Sequence, residues 1–136
     1  MSWLLDTNVI SELTRPIPHP DVARWLGEHE DEFFLSTLTL GEIHKGILSL
    51  PDSARRRRLT SWFDQEIRPW FAGRLLAVDE RVALRWGRLL AEVGQPLPAI
   101  DSLLAATALT HGLTLATRNT ADMARTGVSL FNPWDP

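Results

Sequence analysis

The chain opens on an apolar run that ends in an acid. Trp3-Leu4-Leu5 leads into Asp6-Thr7-Asn8, and Val9-Ile10-Ser11-Glu12-Leu13 follows with the spacing of a helix. A short apolar run of this kind reads as a buried strand, and a strand that passes at once into a helix is the opening of an α/β fold. An acid at the carboxyl end of such a strand projects into the crevice where open α/β sheets bind ligands. Alone there, Asp6 would sit half-buried without a partner, so other groups are expected to join it.

Later stretches repeat the signal. Phe33-Phe34-Leu35-Ser36 reads as a second buried strand, with a helix from about Thr39 that carries Leu40, Ile43, Ile47 and Leu50 at helical spacing. Leu75-Leu76-Ala77-Val78 reads as strand three. Asp79 then caps a helix through Val82, Trp86, Leu89, Leu90 and Val93, which Gly94 ends. The segment from Ile100 to Leu109 is apolar almost all round, as an interior helix is, and Gly112 is its expected C-cap before strand four, Leu113 to Thr117. A loop or short helix from Arg118 to Arg125 leads to a last strand, Val128-Ser129-Leu130, and a tail, Asn132-Pro133-Trp134.

Between the first two strands, Pro16, Pro18 and Pro20 stop the first helix by Thr14-Arg15, and Asp21 opens a short amphipathic helix. Between strands two and three, one helix carries Leu59, Trp62, Phe63, Ile67 and Trp70 as a single stripe. Strands separated by helices require crossover connections. The expected fold is therefore α/β, a three-layer α/β/α sandwich around a mainly parallel sheet of four to five strands, with residues 1–136 as one domain.

Composition excludes several chemistries. Cysteine is absent, so there are no disulfides, thiolate metal sites or thiol nucleophiles; tyrosine is absent too, and Lys45 is the only lysine. A net charge of −3 argues against nucleic-acid binding through a broad basic surface, though not against an enzyme whose acids are neutralised by a metal ion. No apolar run approaches the roughly 20 residues of a membrane span, and no basic-then-apolar signal segment opens the chain; a cytoplasmic location is expected.

Three later acids stand where an α/β architecture brings them to the crevice of Asp6: Glu42 in the first turns after strand two, Asp101 in the first turn of the interior helix, and Asp122 just beyond strand four. Each also has a purely structural reading. Glu42 completes a T-x-x-E capping box with Thr39, Asp101 complements a helix dipole, and Asp122 suits a turn. Together they say more. Carboxylates sharing one pocket repel and protonate unless a cation joins them. Oxygen ligands without Cys and with few His suit Mg²⁺ or Mn²⁺, and that chemistry fits phosphodiester hydrolysis. Thr7, Asn8, Thr117 and Asn119 are candidate supports that hydrogen-bond the acids. His44 lies two residues from Glu42 and so points about 200° away from it on a helix.

The runs Leu4-Leu5-Asp6-Thr7-Asn8-Val9-Ile10-Ser11-Glu12, Thr39-Leu40-Gly41-Glu42-Ile43-His44-Lys45-Gly46, Ile100-Asp101-Ser102-Leu103-Leu104-Ala105-Ala106-Thr107-Ala108 and Thr117-Arg118-Asn119-Thr120-Ala121-Asp122 resemble PIN-domain ribonucleases. The likeness is greatest to the VapC-type toxins of bacterial toxin–antitoxin pairs, particularly the FitB-like group, whose tail Asn132-Pro133-Trp134 also resembles. The resemblance implies a Mg²⁺- or Mn²⁺-dependent endoribonuclease with Asp6, Glu42, Asp101 and Asp122 as an acidic quartet, Asp6 and Asp101 foremost as metal ligands. Thr117 falls on a supporting hydroxyl position. Some relatives carry an acid where Asn119 stands, and Met123 replaces a frequent Phe. The resemblance further implies a homodimer, an RNA substrate, and a cognate VapB-like antitoxin that covers the site and supplies all binding to operator DNA.

A haloacid-dehalogenase-like phosphatase also starts from an acid after strand one, but it needs a second Asp where Asn8 stands and a lysine after strand four that is missing; a receiver domain similarly lacks its late lysine. The non-enzymatic alternative is a catalytically inactive PIN fold, or another acidic-pocket binding module. Arg15, Arg118 and the run Arg55-Arg56-Arg57-Arg58 are candidate RNA contacts, although four consecutive helical residues spread over about 300°, as a solvated turn would. The grooves around Trp25, Leu48, Trp62 and Phe63 are expected to take part in dimer or antitoxin contacts.

Overall fold

The computed structural model describes residues 1–136. Its strands are β1 (Trp3–Leu5), β2 (Phe33–Ser36), β3 (Leu75–Leu76), β4 (Thr114–Ala116) and β5 (Leu130–Phe131). Helices α1 (Thr7–Glu12) and α2 (Pro20–Glu28) join β1 to β2, and α3 (Thr37–Leu48), α4 (Ala54–Trp62) and the short α5 (Arg68–Trp70) join β2 to β3. Helices α6 (Glu80–Val93) and α7 (Ala99–His111) precede β4, and α8 (Thr120–Met123) precedes β5. All neighbouring strands are parallel, in the order β3-β2-β1-β4-β5. None of the helices is long and apolar enough to cross a membrane.

Alternation along β1 builds both layers of the core. Trp3 and Leu5 point to one face, where Val9, Val22, Trp25, Phe33, Ile43 and Ile67 close over them; Leu4 points to the other, against Leu89, Leu104, Ala105 and Leu115. Leu4 and Leu5 are wholly buried, so cutting either to Ala should cost about 2–5 kcal/mol. Helix α7 lies deep because Ala105, Ala106 and Ala108, all fully buried, let its backbone approach the sheet. Its partner α6 is tied to it where Trp86 Nε1 donates to Ser102 Oγ at 2.9 Å.

This strand order matters for function. The chain winds outward from β1 through β2 to β3, then returns to start again on the opposite side with β4. The order therefore reverses between β1 and β4, and the connections leaving their carboxyl ends diverge there. A crevice opens at such a point. Asp6 follows β1 and Thr117 follows β4, so both stand at its mouth.

Several elements depart from the sequence reading. Helix α3 begins at Thr37, two residues earlier than expected, because Ser36 is its N-cap and accepts from Leu38 N at 3.1 Å. Thr39 and Glu42 therefore form no capping box; Thr39 is buried within the helix. Strand β3 stops at Leu76, since its only neighbour β2 ends at Ser36 and leaves Ala77 and Val78 nothing to pair with. The last strand is Leu130–Phe131 rather than 128–130: a turn through Gly127, at φ 73°, carries Val128 ahead of the register in which Leu115 meets Leu130. The stripe from Leu59 to Trp70 is interrupted by a π-helical turn over Phe63–Ile67. Pro69 has no N–H for the carbonyl at 65 and its ring crowds that oxygen, and the widened turn lies there. Trp25 and Phe63, expected on a docking groove, are instead core residues, whereas Leu48 is half exposed.

Candidate active site

Asp6 is held in place by the chain on both sides of it. Its backbone N–H donates to Ala116 O at 2.9 Å, which extends the β1–β4 ladder by one rung. At the same residue α1 begins: Asp6 is the N-cap, and Oδ1 accepts from Thr7 N at 2.7 Å. The other carboxylate oxygen accepts from Thr117 Oγ1 at 2.8 Å and, more weakly, from Asn8 Nδ2 at 3.5 Å. Asn8 also donates to Thr117 Oγ1 at 3.3 Å. Asp6 is buried and Thr117 completely so.

The other three acids form a gradient of exposure around it. Asp101 is half-buried in the first turn of α7, and Glu42 on α3 and Asp122 on α8 are exposed. Thr7 bridges two of the elements: its hydroxyl donates to Glu42 Oε1 at 2.6 Å while its N–H serves Asp6. Asn119, a candidate support, takes part through its backbone, donating N–H to Thr117 Oγ1 at 3.0 Å. His44 stacks on Phe63 with ring centroids 5.9 Å apart.

The charges link the acids in a chain, Asp101 and Glu42 acting on Asp6, and Asp122 and Glu42 acting on Asp101. Burial raises the Asp6 carboxyl above the ordinary Asp range; bonds from Thr117 and Thr7 oppose this, and the charges of Asp101 and Glu42 add to it. Asp101 is raised as well, first by its own burial and then by Asp122 and Glu42. No arginine or lysine pairs with any member of this group, although other acids of the chain are paired, from exposed Asp21 with Arg24 to the buried Glu12 with Arg15. Uncompensated like charges at a crevice are costly for a fold unless a cation relieves them.

The donor set fits a hard divalent ion: carboxylate oxygens, with no thiolate and no imidazole turned inward. The acids do not close into a cage, since no three acids or imidazoles stand in ligating geometry. Mg²⁺ asks for none, because it keeps several waters and takes one or two carboxylates together with phosphate oxygens.

One constellation escaped the sequence reading. Glu12 at the end of α1 is buried and accepts from His19 N at 3.2 Å, from Arg15 Nη1 at 3.3 Å and from Trp134 Nε1 at 3.3 Å. It was legible only in that Glu12 falls three residues after the buried Val9, on the inward side of the helix.

A parallel five-stranded sheet between helical layers, with an acidic crevice at its switch point, defines a class, and a family model agrees with it. The PIN domain model matches residues 3–128, and the chain belongs to the PIN-domain family. Within that family the chain is similar to the toxin FitB of Neisseria gonorrhoeae, with 39% identity over 96% of this chain and 97% of FitB. It is also similar to the VapC ribonuclease Y4jK of Sinorhizobium fredii, at 34% identity over 98% of each chain. Among solved structures, FitAB bound to an IR36 DNA fragment superposes with a TM-score of 0.91 at 38% identity, covering 97% of this chain and 95% of the other.

Proposed function

We propose that this protein is a divalent-metal-dependent endoribonuclease and the toxin of a type II toxin–antitoxin pair. The observation that carries the reading is the meeting of four carboxylates without cationic partners at the switch point of a PIN-family sheet, one of them buried. Kinship to a FitB toxin and a VapC ribonuclease supports it.

In this reading Asp6 and Asp101 hold Mg²⁺ or Mn²⁺, with Glu42 and Asp122 completing the acidic group. When bound, the ion would supply the charge that lets Asp6 and Asp101 ionise together and the Lewis acidity that phosphodiester hydrolysis needs. The chain's own part is preparation. Thr7 N–H and Thr117 Oγ1 favour the ionised form of Asp6 against the effect of its burial. The Thr7 hydroxyl keeps Glu42 turned toward Asp6, and Asn8 ties Asp6 to the 117–119 turn. Glu42 and Asp122, at the exposed rim, are placed to accept a proton or a hydrogen bond from an attacking water.

A cleft of about 180 Å³ runs beside Glu42 between α1, α3 and α4, lined by Thr7, Ile43, Ile47, Arg55, Leu59 and Trp62 among others. Its mixed apolar and polar walls suit an extended segment of a cognate VapB-like antitoxin, which inhibits by covering the acids. Operator DNA is engaged through that antitoxin alone, consistent with the net charge of −3. The toxin works as a homodimer in the cytoplasm, where its RNA substrates are.

The test is hydrolysis of total RNA by the purified chain with Mg²⁺ or Mn²⁺, with EDTA and with Asp101→Asn. Cleavage abolished by both treatments is the expected result. Intact RNA under all conditions, with Mn²⁺ still bound calorimetrically, would instead mark a catalytically inactive binding module.

A further inference from the structure

Beside the acidic crevice, residues from three distant parts of the chain are locked into one constellation. Arg118 is the first residue past Thr117. Its backbone N–H donates to Asn8 Oδ1 at 3.4 Å, so its main chain is pinned to the same asparagine that reaches Asp6. Its guanidinium lies over the indole of Trp134, 5.2 Å from the ring centroid, while the residue stays exposed and pairs with no carboxylate. Trp134 is itself fixed twice, by its N–H donating to Asn132 Oδ1 at 3.0 Å and by Nε1 donating to the buried Glu12. Arg15, whose Nη1 donates to both oxygens of Glu12 at 3.3 Å, completes the group.

An exposed arginine gains little by itself from being held still. Here, however, a buried carboxylate and a tryptophan hold one beside a crevice whose four acids repel any phosphate. Stacking leaves the guanidinium edge, with its hydrogen-bond donors, free for an anion. We propose that Arg118, positioned by Trp134 and Glu12, receives a backbone phosphate of the RNA strand next to the one being cleaved, and so draws an anionic substrate onto an anionic site. This rests on the nuclease reading, since it supposes an RNA strand lying across the crevice. Arg118 is here a substrate-binding residue. Trp134 and Glu12 are positioning residues.

The test uses the full chain with a fluorescein-labelled single-stranded RNA of mixed sequence. Binding is followed by anisotropy in the Asp101→Asn background from low to moderate KCl, and hydrolysis is followed with Mg²⁺ in the otherwise unaltered chain. Arg118→Ala should raise KM about tenfold with kcat nearly unchanged. It should also make the log–log dependence of affinity on salt shallower by about 0.7, the loss of one phosphate contact to a single strand. Arg118→Lys should restore the slope, because the charge returns, and only part of the affinity. Arg24→Ala, which removes an exposed arginine paired with Asp21 on α2, should change neither. An unaltered salt slope and KM in Arg118→Ala, with cleavage intact, overturns the inference and leaves the nuclease reading standing. A shallower slope in a chain that never cleaves RNA supports the contact and overturns the nuclease reading. Absence of RNA binding in the Asp101→Asn chain overturns the contact.

Discussion

Replacing Thr117 by Val tests the site at its most buried joint. Valine keeps the volume and branching of threonine, so the wholly buried position stays filled, but the hydroxyl that donates to Asp6 Oδ2 at 2.8 Å is lost. Asn8 Nδ2 and Asn119 N lose their acceptor at the same time. A hydrogen bond to a charged group contributes about 1.5–3 kcal/mol, which corresponds to roughly ten- to 150-fold in an equilibrium constant. The direction follows from Asp6 itself. Burial already holds its carboxyl above the ordinary range and the Thr117 bond opposes that, so losing the bond pushes the carboxyl further up and protons compete better with a cation. Mn²⁺ titrated calorimetrically into Thr117→Val should bind about 10- to 100-fold more weakly on the acid side of the Asp6 titration, with the deficit narrowing as pH rises and protons leave. Thr117→Ser, which keeps the hydroxyl, should stay near wild type. Wild-type affinity for Thr117→Val across the whole pH range, in a protein with unchanged circular dichroism, would refute this account of the site.

Asp101→Asn should stabilise the metal-free chain at neutral pH while abolishing RNA cleavage. The raised Asp101 carboxyl contributes stability only below its unfolded range, near 3.8, and that contribution is lost as pH rises through the folded value; the thermal advantage of the variant should therefore fade in acid. Glu12→Ala should lower stability to urea by about 2–4 kcal/mol, because it strands the His19 N–H and the Trp134 indole N–H away from their acceptor. Glu12 is the opposite case in pH: burial pushes its carboxyl up, but the His19, Arg15 and Trp134 bonds outweigh that and lower it, so its contribution is present above the unfolded range near 4.5 and lost as pH falls. Gly112→Ala should cost about 1 kcal/mol in thermal unfolding. The cost is conformational, since φ is +64° and an added Cβ would meet no atom within 4 Å.

Much of the helical framework was legible because its determinants are local. Asp79 caps α6 through its own carboxylate to Val82 N, three residues on, and Gly94 and Gly112 end their helices in the left-handed conformation that other residues adopt at a cost. Two boundaries that moved are set by a neighbouring strand: β3 is short because β2 ends, and β5 is displaced by the register of β4. The early start of α3 is instead local, because Ser36 accepts from Leu38 N and so competes with Thr39 as the cap.

The same division runs through the site. Residue types and their places after strands, on the sequence alone, single out Asp6, Glu42, Asp101 and Asp122 as candidates, and the lack of cysteine directs the chemistry toward hard cations. Which acid is buried and which exposed could not be read there, because exposure depends on what covers a residue from elsewhere in the chain. Only the tertiary structure decided that Asp6 forms the floor, held by a threonine 111 residues away, and that Glu42 and Asp122 stand at the rim. It alone also joined Glu12 to Trp134, across a separation of 122 residues. Propensity, capping and periodicity act over a turn or two of chain, whereas burial and the coupling of charges are properties of space.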